Sequence, residues 1–228
     1  MVIGTGLIAR AFFHYKNNDE FIIFASGVSN SLSNDQDEFE KEFSLLKRTL
    51  SVKQNDQKLI YFSSFNVFDP SLSENNYVIH KKRMESFIKE FPNTLIMRLP
   101  IVMANSKNPN TLINFFVNKI TQKQPFTIYS KALRYIISIE ETVKIIDHIL
   151  SKKEPAGVYN ISFPKPFMVN QMVEMIEKGL SMKGNYQTVD QGTQYNVDDI
   201  FYTFNSTETA FDTSSDYFLH HFKKCYLN

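Results

Sequence analysis

The chain has 228 residues, enough to bury a substantial core as one domain and too few for two independent ones. Apolar residues at 43% and charged residues at 21% exclude wholesale disorder. Lys and Arg at 25 against Asp and Glu at 24 leave a formal charge of +1, too balanced for a duplex-binding protein that depends on counterion release.

A single cysteine, Cys225, excludes an intrachain disulfide framework, and no Cys or His spacing suggests a metal site. The N-terminus lacks the basic-then-apolar order of a signal peptide, and no apolar run reaches the roughly 18 residues of a membrane span. The expectation is a soluble, cytoplasmic protein with neither nucleic acid nor membrane as partner.

In chain order, "MVI" is a very short strand that turns at Gly4-Thr5-Gly6 into helix formers, and "EFIIFASGVSNS" is a second buried strand. "QDEFEKEFSLLKRTLSV" repeats apolar residues at Phe39, Phe43, Leu46 and Leu50, a helical period, and "QKLIYFSS" is the third strand. From Tyr77 an apolar face runs through Met84, Phe87, Ile88 and Phe91 toward Pro92, so Tyr77 and Lys81 lie one helical turn apart. "NTLIMRLPIVM" reads as the fourth strand. Then come a helix over "TLINFFVNKITQ", short strands at "PFTIYS" and "RYIIS", a helix over "IEETVKIIDHILSK", a strand at "GVYNIS" and a helix over "MVNQMVEMIEKGL". The polar stretch from Gly184 to Asn196 reads as a flexible excursion. This alternation is the rhythm of a parallel sheet covered by helices.

"GTGLIA" fits G-x-G-x-x-A directly after a strand and opening a helix, the context of a dinucleotide-binding turn. Glycine lets the backbone approach a pyrophosphate, which then rests on helix amides. Gly4, Gly6, Leu7 and Ile8 would form that cradle, with Arg10 reaching a phosphate. The acidic residue expected about 20 positions onward to hold a ribose hydroxyl is absent, since Ala25 and Ser26 stand there. NAD and NADP therefore both stay open.

"YVIHKKRME", "FSSFNVF", "LIMRLPIVM", "ALRYIISIEETVKIIDHIL" and "GVYNIS", in this order, resemble the extended short-chain dehydrogenase/reductase superfamily, which acts on nucleotide-linked sugars. The resemblance runs through most of the chain. It implies a Rossmann-like α/β fold over residues 1–228, a single NAD(P)-binding domain. A small C-terminal substrate lobe would come from segments near 105–135 and 155–228. It also implies Ser64, Tyr77 and Lys81 as the catalytic group, with Tyr77 exchanging a proton with the sugar oxygen that Ser64 binds. A phenol ionises at about 10 when unperturbed, and a nearby positive charge favours the phenolate. Lys81 would supply that charge and hold the nicotinamide ribose. Ala25 and Ser26 would border the cofactor, while Asn66 and Arg134 would contact the substrate, the guanidinium pairing with its diphosphate.

The family normally places two further strand-helix units before the strand that "FIIFASG" resembles, and here there is no room for them. The customary adenosine-binding wall is expected to be missing, and the family's active-site Asn has no counterpart around Glu38 to Glu42. Phe65 and Asn66 stand where the family's 4,6-dehydratases carry an Asp-Glu pair, which argues against dehydration. The strand end "SSFNVFD" resembles dTDP-4-dehydrorhamnose reductase-like enzymes and points to reduction of a keto sugar for surface polysaccharide synthesis. A 4-epimerase using the same groups and a degenerate, non-catalytic nucleotide-sugar binder remain alternatives. Apolar edges left by the missing strands suggest a homodimer.

Overall fold

The structure, a computed structural model, describes residues 1–106, 108–109, 111–201 and 214–227. Those parts of the expected substrate lobe at 107, 110, 202–213 and 228 lie outside the described residues. In order, the elements are β1 (Val2–Ile3), α1 (Leu7–Ala11), β2 (Phe21–Phe24), α2 (Gln36–Val52), β3 (Lys58–Ser64), α3 (Asn76–Ile88), β4 (Thr94–Leu99), β5 (Ile101–Met103), α4 (Leu112–Thr121), β6 (Pro125–Tyr129), β7 (Leu133–Arg134), β8 (Ile136–Ser138), α5 (Ile139–Ser151), β9 (Gly157–Ile161), β10 (Phe167–Met168), α6 (Val169–Leu180), β11 (Asn185–Val189) and α7 (Ser214–Tyr226). The chain divides into two compact units, residues 1–99 with 140–161 and residues 100–139 with 162–228. No described helix is long and apolar enough to cross a membrane.

The first unit is built on a parallel sheet in the order β1-β2-β3-β4-β9, in register through Ile3 with Phe24, Phe24 with Tyr61, Ser64 with Leu99 and Arg98 with Asn160. It is the α/β architecture with flanking helices that the resemblance implies. Strand residues alternate between faces. Ile22, Phe24, Leu59, Tyr61 and Ile96 pack with Leu46 and Leu50 of α2 and with Met84 and Ile88 of α3. Phe62 points the other way, against Phe12 at the end of α1 (ring centroids 5.5 Å apart), and the nearby Tyr15 hydroxyl donates to Asp147 of α5 at 2.9 Å. So α2 and α3 cover one face, and α1 and α5 the other.

This distribution has a topological consequence. The β1-α1-β2 and β2-α2-β3 crossovers step one strand in the same direction with their helices on opposite faces, so they have opposite hands. Only one of them can follow the right-handed rule. A switch point is nevertheless present between β1 and β2. The chain leaves β1 toward one face and β2 toward the other, and ligand crevices in α/β sheets open where adjacent strand ends part in this way.

In the second unit β5 pairs in parallel with β8, β6 in parallel with β11, and β7 antiparallel with β10. Its core joins Phe116 and Ile120 of α4, Met172 and Ile176 of α6, and Tyr217, Phe218 and Phe222 of α7.

Three features differ from the expectations. The run "NTLIMRLPIVM" is broken at Pro100, which has no N–H to give a ladder, so β4 belongs to the first unit and β5 to the second. The polar stretch after Gly184 is partly ordered as β11, because its backbone pairs with the full length of β6 whatever its side chains. No helix is expected over "SSDYFLHHFKKCY", yet α7 forms there and buries Tyr217, Phe218 and Phe222.

Candidate active site

Two turns lie side by side at the carboxyl ends of β1 and β2. Gly4 has φ +123, and a Cβ there would lie 2.3 Å from the carbonyl oxygen of Ala25, so only glycine lets β1 pass this close to β2. Gly6 caps α1 in an extended conformation, and a Cβ on it would meet nothing within 4 Å. The cradle's outer side is therefore open. Leu7 and Ile8 are half-buried in the first turn of α1, and Arg10 is exposed in its last. Ala25 donates its N–H to Ile3 at 2.8 Å, and Ser26 follows it into the loop. That loop and α2 border a cleft of about 340 Å³ lined by Ser26, Ser29, Asn30, Lys41 and Glu42 among others.

Tyr77 and Lys81 lie on the buried face of α3, whose first turn is capped by Asn75 accepting the Val78 N–H at 3.2 Å. Tyr77 packs with Phe39, Val78, Val28 and Leu72. The Lys81 ammonium sits 5.6 Å from the Tyr77 ring centroid. It is also 98% shielded from solvent, and its partner is a residue that sequence reasoning missed. Glu42 Oε1 accepts from Lys81 Nζ at 2.9 Å and from the Tyr61 hydroxyl at 2.9 Å, while Lys81 also donates to the Tyr61 oxygen at 3.1 Å. Glu42 Oε2 accepts from the Val28 N–H at 2.7 Å and from His80 Nε2 at 3.0 Å. His80 stacks on Phe39, with centroids 4.6 Å apart, and its Nδ1 has no hydrogen-bond partner among the described residues.

Burial by itself would push the Glu42 carboxyl up. The Lys81 charge and the bonds from His80, the Val28 N–H and Lys81 outweigh it and lower the carboxyl from 4.5 to about 2. Burial, and then the Glu42 charge, raise the Tyr61 phenol well above its ordinary value. One signal could have exposed Glu42. It is a carboxylate on the apolar stripe of α2, three residues after Phe39 and four before Leu46, and a buried carboxylate needs a partner.

A second buried carboxylate organises the end of β3. Glu85 accepts from the Ser63 hydroxyl at 2.6 Å and takes Arg98 through Nε at 2.9 Å and Nη2 at 2.5 Å, a two-pronged pair tying α3 to β3 and β4. Of the two adjacent serines, Ser63 is thus held structurally. Ser64 is half-buried at the strand end, and its oxygen accepts the Asn66 N–H at 3.2 Å in a 3-10 turn over Phe65–Phe68. Arg134 lies on β7 in the second unit, opposite Phe167 in register, and one of its amino groups donates to the Leu133 carbonyl at 2.7 Å.

No protein-family model matches the chain, and no curated protein matches its sequence. Solved structures do match its fold. One is a dTDP-glucose 4,6-dehydratase from Bacillus anthracis in complex with NAD, with TM-score 0.64, 16% identity, and 86% of this chain and 70% of that one covered. Another is a dTDP-4-dehydrorhamnose reductase from the same organism in complex with NADP, with TM-score 0.63, 16% identity, and coverage of 80% and 70%. This chain has the fold of the extended short-chain dehydrogenase/reductases. A third structure of this fold is a UDP-N-acetylglucosamine 4-epimerase from Methanobrevibacter ruminantium, with TM-score 0.60, 17% identity, and coverage of 90% and 75%.

Proposed function

We propose that the chain is an NAD(P)-dependent reductase of a nucleotide-linked keto sugar, serving surface polysaccharide synthesis. The observation that carries this reading is the Tyr77–Lys81 pair on one buried face of α3, with the ammonium 5.6 Å from the phenol ring. Solved structures of this fold are complexes with NAD or NADP, and the residues present fit such a cofactor at the glycine turn. The open side of Gly6 leaves room for a pyrophosphate against the turn formed by Gly4, Gly6, Leu7 and Ile8, with Arg10 nearby. Lys81 gives two of its three N–H groups to Glu42 and Tyr61 and is covered by the loop at Gly27, so it would hold a ribose hydroxyl with the third once that loop moves aside.

A bound nicotinamide would supply the hydride. In this reading Tyr77 gives its proton to the substrate oxygen, Ser64 binds that oxygen, Asn66 lines the sugar, Ala25 and Ser26 border the cofactor, and Arg134 pairs with the diphosphate.

A non-catalytic nucleotide-sugar binder is the second reading. It is favoured by the position of β1 at the end of the sheet order, which leaves the adenosine half of a cofactor without a strand to lie against. The same edge favours a homodimer, which light scattering showing only monomer at micromolar concentration would exclude.

Calorimetric titration with NADH and NADPH, paired with a turnover assay on dTDP-4-dehydrorhamnose, tests the proposal. Micromolar binding of one cofactor, weakened mainly by Lys81→Ala, and a loss of turnover of about 100-fold or more in Tyr77→Phe are expected. No binding of either cofactor by folded protein would leave the second reading.

A further inference from the structure

We propose that Glu42 is the positioning residue of the Lys81 ammonium and that, by pairing its charge, it sets Tyr77 to give a proton to a carbonyl oxygen rather than take one from an alcohol. The direction of reaction rests on the reductase reading above; the charge pairing does not.

An unpaired ammonium within about 4–6 Å of a phenol stabilises the phenolate, the form that begins an oxidation or an epimerisation by accepting a hydroxyl proton. Here the Lys81 ammonium is 5.6 Å from the Tyr77 ring, but Glu42 Oε1 is 2.9 Å from that ammonium. Tyr77 thus faces an ion pair with no net charge. The carboxylate is held at its other oxygen by the Val28 N–H and His80 Nε2. The loop closes on the pair at Gly27, where a Cβ would lie 2.8 Å from Lys81 Nζ and 3.1 Å from Glu42 Oε1. Any larger residue would have to displace one partner or the other.

The remaining ionisable groups around the phenol are each engaged by a partner of their own. Tyr61 of β3 is held as a phenol by burial and by Glu42, Glu85 of α3 is matched by Arg98, and His80 of α3 is bonded to the same Glu42. With the phenol as donor the step balances. The carbonyl carbon takes a hydride, the C=O π bond breaks, and its oxygen takes the Tyr77 proton. A bound nicotinamide would supply that hydride and be oxidised as the ketone is reduced, and the Tyr77 phenolate would regain a proton from water.

The test is a pH titration by NMR of protein labelled at the tyrosine ζ carbon, with the Tyr77 signal assigned by its absence in Tyr77→Phe. Glu42→Gln keeps the shape and removes the charge. It should lower the ionisation midpoint of Tyr77 by about one pH unit or more. The double variant Glu42→Gln/Lys81→Met should bring it back, a recovery that a merely structural role would not produce. A midpoint that Glu42→Gln leaves in place overturns the proposal. Should that variant fail to fold, Lys81→Met alone, which leaves the carboxylate unpaired, must raise the midpoint, and no rise overturns it equally. Turnover with an unmoved midpoint would refute the role of Glu42 and keep the reductase reading; a moved midpoint without turnover would refute reduction and keep Glu42 as the partner of Lys81.

Discussion

Replacing Glu42 by Gln should cost stability in a pH-dependent way, because the carboxylate is bound as an anion in the folded chain and not in the unfolded one. Its carboxyl lies at about 2 when folded against an ordinary 4.5. At roughly 1.4 kcal/mol per pH unit, that difference is worth about 3 kcal/mol at pH 7. The folded value is the lower one, so the stabilisation is complete above about pH 5 and is lost as pH falls toward 2. At pH 3 most of it is gone, leaving on the order of 1 kcal/mol. A protonated Glu42 is what glutamine imitates, so the wild type and the variant should converge in acid. Urea unfolding of both at pH 7 and pH 3 measures this. An equal stability difference at the two pH values would show that Glu42 contributes through packing rather than through its charge.

Other expectations concern the frame around the site. Gly4→Ala puts a Cβ 2.3 Å from the Ala25 carbonyl at φ +123, and backbone strain alone should cost about 1–3 kcal/mol, read as a lower urea midpoint; a midpoint within error of wild type would mean that β1 can move off β2. Arg98→Met leaves the Glu85 carboxylate buried without its guanidinium and should destabilise by about 3–5 kcal/mol, most of it recovered in Arg98→Met/Glu85→Met. If the double variant is no more stable than the single, the pair is not what Arg98 contributes.

Much of the frame was legible in the chain. Phe39, Leu46 and Leu50 announced α2, and the four-residue spacing of Tyr77 and Lys81 placed both on one face of α3. The glycine turn at Gly4 was legible too, but the close pass of the Ala25 carbonyl that requires it was not. Not legible was the bond of Glu85, four residues past Lys81, to Ser63, which leaves Ser64 as the strand-end hydroxyl.

Periodicity, glycine turns and helical spacing are short-range properties, set by backbone geometry over a few residues, and the sequence by itself determined them. Tertiary structure alone decided three things. Glu42 meets Lys81 across 39 residues of chain, a pairing that no local pattern encodes. The first crossover has the opposite hand to the second, because the faces covered by α1 and α2 depend on what each finds to pack against. Pro100 divides one apolar run between two units, since whether a strand continues depends on which neighbour can receive its hydrogen bonds. In each case the deciding partner is distant in sequence, and only the folded chain brings it into reach.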